Sequence, residues 1–162
     1  MTTAQESIIT AFASTQKPSD IRAIAPHSCP ECDELARDFL PYTYAAVPRN
    51  VIELHYDSLP LFSPQALLHY LPAYLLYSLQ NPESRVTEFT MYQLSPSKSD
   101  LKESTQFHKE RLEVFSMEQR SAICNFLIEA SSLEDFNRYE AEILRAKEIW
   151  SNQPNPSFKR DA

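Results

Sequence analysis

Leu59-Pro60-Leu61-Phe62-Ser63-Pro64-Gln65-Ala66-Leu67-Leu68-His69-Tyr70-Leu71-Pro72-Ala73-Tyr74-Leu75-Leu76-Tyr77-Ser78-Leu79-Gln80 is the stretch on which the fold turns. Ser63 offers a capping hydroxyl, and Pro64 follows at a position where its missing N–H costs nothing. A helix is predicted from there to about Gln80, with Asn81-Pro82 as its stop. Its apolar residues surround nearly the whole cylinder, so it should be buried on several sides. Pro72 falls in its interior, removes the bond back to the Leu68 carbonyl, and should kink the axis.

Working outward, helices dominate. Thr3-x-x-Glu6 is a capping box ahead of Ile8, Ile9 and Phe12, which predicts a helix from about Ala4 to Ser14. Residues 16–26 read as a loop bounded by Pro18 and Pro26. Ser28-x-x-Glu31 opens a short helix with Cys32, Leu35, Ala36 and Phe39 on one face, ending before Pro41. Segment 49–57 and segment 84–94 each fit helix or strand, and both are assigned helix. Residues 95–104 read as a polar, mobile loop. Residues 105–114 read as a helix carrying Phe107 and Leu112. Ser116-x-x-Gln119 caps a stripe of Ala122, Ile123, Phe126, Leu127 and Ala130. Ser132-x-x-Asp135 opens a last helix reaching Trp150, expected to seal the core. Residues 152–162 read as a flexible tail after a single domain spanning 1–151.

The chain of 162 residues contains no glycine, where average usage would supply about eleven. Phosphate-cradling loops, the dinucleotide fingerprint and the Gly-x-Ser-x-Gly elbow are therefore excluded. Tight hairpin turns also want glycine, whereas helices can end on asparagine, and there are six Asn residues for that task. The expected architecture is all-α: one compact domain of about seven helices around a kinked, buried central helix.

Net charge is −7, with no stripe of Lys and Arg. Nucleic acid and anionic membranes are poor partners for such a surface. No apolar run approaches the ~20 residues of a spanning helix, and the N-terminus lacks the features of a secretory signal. Three cysteines fit a reducing cytoplasm better than a disulfide scaffold.

Leu59–Leu76, with its Ser63-Pro64-x-Ala66 and Tyr70-Leu71-Pro72-Ala73-Tyr74 segments, is preceded by Ile8-Ile9-x-Ala11-Phe12 and Cys29-x-x-Cys32-x-Glu34. It is followed by Phe115-Ser-Met-Glu-Gln119 and Ala122-Ile123-x-x-Phe126-Leu127. In this the chain resembles a bacterial family catalogued only as a domain of unknown function, over about residues 8–130. The resemblance implies a compact cytoplasmic domain and brings no catalytic residues with it.

The sharpest chemical motif is His27-Ser28-Cys29-Pro30-Glu31-Cys32. Two thiols two residues apart can grip one tetrahedral ion, and His27 can be a third ligand; zinc is the metal such donors suit. The same dithiol is a redox candidate, since a helix N-terminus favours the thiolate. Packing of Cys32 beside Leu35 and Phe39 is the plain alternative. Tyr70, Tyr74 and Tyr77 line one helix face with His69 nearby, and core packing explains them more simply than a pocket. Glu31, Asp33, Glu34 and Asp38 are explained by the helix dipole rather than acid–base work. Two readings result: a non-enzymatic cytoplasmic protein-interaction or regulatory module, or a metal-binding or thiol-redox protein organised around His27, Cys29 and Cys32. The first expects an exposed apolar patch or cleft.

Overall fold

The computed structural model describes residues 1–151; the expected tail, 152–162, lies outside the described residues. Ten α-helices follow in order: α1 Thr3–Phe12, α2 Ile21–Ile24, α3 Pro30–Phe39, α4 Arg49–Leu54, α5 Pro64–Gln80, α6 Arg85–Leu94, α7 Lys98–Glu103, α8 Thr105–Glu113, α9 Met117–Ser131 and α10 Glu140–Ser151. Short 3₁₀ turns span Tyr44–Ala46, Leu59–Leu61 and Glu134–Tyr139. The structure is 74% helical, and no strand occurs among the described residues.

α5 is the central element. The Ser63 hydroxyl accepts from the Ala66 N–H at 3.0 Å and Pro64 occupies the first turn, as the sequence predicts. The helix continues through Pro72 to Gln80. It packs on α1, α2, α4, α6 and α8, and its two central tyrosines are fully buried. α1, α9 and α10 form a second layer, α1 lying along α9 and α9 along α10. Trp150 closes that layer: it is buried, its edge meets Phe115 at 5.1 Å, and its indole N–H donates to the Leu94 carbonyl at 2.9 Å.

Several boundaries differ from expectation. The helix count exceeds seven because the polar segments are themselves helical. Residues 95–104 carry α7, started by a reciprocal box between Ser97 and Asp100. α2 sits inside the segment read as a loop, capped by Asp20 accepting from the Ala23 N–H. α1 is capped by Thr2 with Gln5 rather than by Thr3 with Glu6. Ser132 closes α9 instead of opening the last helix, and a 3₁₀ segment intervenes before α10. Both ambiguous segments contain helix, α4 and α6.

The missing glycines are answered in an unexpected way. No described residue has positive φ, and Asn81, the asparagine at a helix C-cap among the described residues, sits at φ −137°. The left-handed cap that normally satisfies terminal carbonyls is therefore absent among the described residues. Side chains supply donors instead. Thr15 donates to the Phe12 carbonyl, and Lys17 to that of Leu40. Asn81 serves Tyr77, Arg120 serves Leu112, and Trp150 serves Leu94. The Tyr70 hydroxyl donates within reach of the Phe39 and Tyr42 carbonyls, and the Tyr74 hydroxyl donates to that of His55. Buried carbonyls need such partners, because an unpaired one costs about 1–3 kcal/mol.

Candidate functional site

The site forms where α2 and α3 meet. The structure moves the start of α3 one residue beyond expectation: Cys29, not Ser28, is the N-cap, with φ −153° and ψ 163°. The reason is Pro30, which prefers the first helical position and places the cap on the residue before it. The Cys32 N–H then donates to Cys29 Sγ at 3.3 Å, so a sulfur does the work usually given to a hydroxyl.

Cys32 is one turn into α3 and buried, on the face that also carries Leu35, Ala36 and Phe39. His27 is exposed, in the link between α2 and α3, and its Nδ1 lies 3.8 Å from Cys32 Sγ. Arg22 shapes that link. Its guanidinium donates to the His27 carbonyl at 2.7 Å, reaches the Ser28 hydroxyl at 3.3 Å, and forms an ion pair with Asp33 on α3. Arg22 is the residue of the candidate site that sequence reading misses. Its one local signal is an arginine lying between two acid-bearing helix starts.

One donor atom each from His27, Cys29 and Cys32 falls within 4.8 Å of the others. In a tetrahedral zinc site with bonds of about 2.3 Å to sulfur and about 2.0 Å to nitrogen, neighbouring donors are roughly 3.5–3.8 Å apart. The His27 Nδ1–Cys32 Sγ separation of 3.8 Å is about 0.3 Å longer than the nitrogen–sulfur edge. The two sulfurs differ chemically. Hydrogen bonding from the Cys32 main chain and thiol, with His27 nearby, holds the Cys29 thiol below its ordinary value. Burial, reinforced by the Cys29 contact, pushes the Cys32 thiol up to about 11. A cation bound to both would reverse the second shift by stabilising the thiolate.

No fourth His, Cys, Asp or Glu joins this group among the described residues. Cys124 is half-buried on α9, with its thiol raised by burial. His55 Nε2–H donates to the Asp38 carboxylate at 2.8 Å. Within the acidic cluster, Asp33 pairs with Arg22 and Asp38 faces His55. Tyr70, Tyr74 and Tyr77 have their hydroxyls bound to the Phe39 and Tyr42 carbonyls, the His55 carbonyl and the Glu53 carboxylate.

His69 is also structural. Its Nε2 accepts the Tyr44 N–H at 3.2 Å, and its Nδ1 lies 3.0 Å from the Thr15 hydroxyl, which itself donates to Phe12. Nε2 must stay unprotonated to accept. Burial, with Lys17 adding repulsion, keeps the ring's titration below its ordinary value. The unfolded chain takes up this proton near pH 6.5, the folded ring only at lower pH. The unfolded state thus binds more protons in that window. Stability is complete above about pH 6.5, falls as pH drops toward the folded ring's titration, and levels off below it. His108, also lowered by burial, acts in the same direction. Urea unfolding at about pH 5 and about pH 7.5 should show a smaller acid loss for His69→Gln than for the wild type. Equal losses would place the proton uptake on other groups.

Beside the donors runs a groove of about 300 Å³, lined by Pro26, His27, Cys32, Phe62, Phe107 and Arg111 among others. Phe107 is 42% exposed there. No helix among the described residues is long and apolar enough to cross a membrane.

A family model, described as a family of unknown function (DUF6714), matches residues 5–154. This bears out the resemblance to a family of unknown function, and the match reaches beyond residues 8–130 at both ends. No curated protein and no solved structure matches the chain.

Proposed function

We propose that this chain, which belongs to the DUF6714 family, is a zinc-binding interaction module: His27, Cys29 and Cys32 hold the ion, and a partner docks in the groove beside it. The convergence of three donor atoms within 4.8 Å carries the reading. Two thiolates and one imidazole neutralise and soften a site that suits zinc. Three protein donors leave one tetrahedral position for water or for a donor brought by the partner. Arg22 acts from behind the donors, fixing the His27 carbonyl and bracing α2 against α3 so that the imidazole stays over the sulfurs. The groove reaches both His27 and Cys32, so a docked segment can approach the ion directly. Its apolar walls and exposed Phe107 supply the contact surface.

Full-length protein purified without chelator, then given zinc and desalted, should retain about one equivalent by elemental analysis. Cys29→Ser and Cys32→Ser should each retain under a tenth of that amount. His27→Ala should bind at least tenfold more weakly while keeping the wild-type helical signal. Wild-type protein that retains less than a tenth of an equivalent refutes the centre.

A further inference from the structure

The geometry points to a second activity at the same sulfurs: Cys29 and Cys32 exchange with small-molecule disulfides, Cys29 attacking first and Cys32 closing an internal disulfide. This uses two residues of the proposed centre but requires no bound metal.

Three observations carry it. The two sulfurs, one on the N-cap and one in the first turn of α3, lie within 4.8 Å, close enough for side-chain rotation to bring them to a bond of about 2.05 Å. Their accessibility is unequal: Cys29 is partly exposed at the N-cap, whereas Cys32 is 1% exposed. Cys29 Sγ also already accepts the Cys32 N–H, so the backbone amide of the second cysteine holds the first sulfur in place. An incoming disulfide therefore meets Cys29, and the buried Cys32 is positioned to attack only what Cys29 has captured.

The step balances with an organic disulfide as oxidant. The Cys29 thiol releases its proton to solvent and its sulfur attacks one sulfur of the disulfide. A Cys29 mixed disulfide forms, and one thiolate leaves. Cys32 then loses its proton and attacks Cys29 Sγ, and the second thiolate leaves as the internal bond forms. Two cysteine thiols are oxidised by two electrons, and one disulfide is reduced to two thiols. Oxidation removes both sulfurs as metal ligands, so the exchange also provides a way to empty the zinc centre.

The test uses full-length Cys124→Ser protein, stripped of metal and treated with glutathione disulfide, with products read by intact and peptide mass spectrometry. The expected product has lost two hydrogens and carries a Cys29–Cys32 bond without glutathione. Adding Cys32→Ser should halt the reaction at a glutathione adduct on Cys29. Adding Cys29→Ser should leave Cys32 unmodified, or modified at least tenfold more slowly than Cys29. A stable adduct on the intact pair, no reaction, or equal reactivity of Cys32 overturns the proposal. A parallel series with excess zinc separates the two readings. Protection of at least tenfold is expected if the ion binds, whereas unchanged exchange removes the zinc centre and leaves the dithiol activity standing.

Discussion

Phe39→Ala should lower stability by about 3–5 kcal/mol, the usual range for deleting a buried aromatic ring. Phe39 is fully buried at the C-terminal end of α3. Its ring meets Tyr70 at 5.0 Å, Phe62 at 5.2 Å and His55 at 5.7 Å edge-on, and stacks parallel to Tyr74 at 6.3 Å. Among the described residues no other ring meets as many rings, and the partners of Phe39 come from the end of α4, the residue after the 59–61 turn, and α5. Truncation removes the transfer term, leaves a cavity that four anchored rings cannot easily fill, and forfeits edge-to-face contacts of about 0.5–1.5 kcal/mol each. Against a total of about 5–15 kcal/mol, that is a large fraction. A fall in Tm of roughly 6–20 °C follows from about 2–4 °C per kcal/mol in a domain this size. Phe39→Leu keeps most of the volume and should cost less than half as much. A loss under about 1 kcal/mol for the alanine variant would show that the cluster is not the hub of the fold. α3 also carries Cys32 and is capped by Cys29, so Phe39 ties the position of the candidate site to the core.

Arg111→Ala is expected to cost about 2–4 kcal/mol, through a different mechanism. Arg111 is 4% exposed, and no carboxylate lies within ion-pairing distance of it among the described residues. Burial alone pushes its guanidinium down to about 10, which leaves it charged at neutral pH. Its terminal nitrogens donate to the Phe62 and Leu59 carbonyls, which flank the turn entering α5, and the guanidinium sits 4.8 Å from the Phe107 ring centroid. Two effects compete on removal. Releasing a desolvated cation recovers several kcal/mol, while two charge-assisted bonds, each about 1.5–3 kcal/mol, are lost and two buried carbonyls are orphaned. The second effect wins because the carbonyls cannot be removed by the same substitution. Arg111→Met fills the space without donating, so it should retain the packing and cost about half as much as alanine. Chemical denaturation of the three proteins checks the order wild type, Met, Ala. A neutral alanine variant would mean that water reaches both carbonyls in its absence. Because Arg111 and Phe107 line the groove, the alanine variant should also loosen the wall opposite His27.

The parts legible from sequence were those set by near neighbours. Ser63-Pro64 starts α5 and Asn81 ends it, and Ser116 with Gln119 caps α9, because caps and stops depend on residues within one turn. The same rule applied to Pro30 places the cap on Cys29. Reading Ser28 as the cap gave weight to the Ser-x-x-Glu spacing over the proline, and so put the thiol one position too far inside the helix. α7 is not legible from periodicity, because only Leu101 gives it an apolar residue; its signal is the Ser97–Asp100 box. The triad residues were nameable from their spacing. Their convergence depends on Arg22 folding the 25–28 link back over α3, and the groove beside them depends on α8, about eighty residues downstream in sequence.

By itself the sequence determined a helical protein. Without glycine the chain has no easy route to left-handed turns, and its apolar residues recur at helical spacing. The tertiary structure decided how those helices end: Tyr70, Tyr74, Arg111, Arg120 and Trp150 reach carbonyls from other turns and elements, replacing the caps that glycine would provide. Helix propensity is settled among residues a few positions apart. A donor for a distant carbonyl is settled only when packing brings the two together and excludes the water that would otherwise serve.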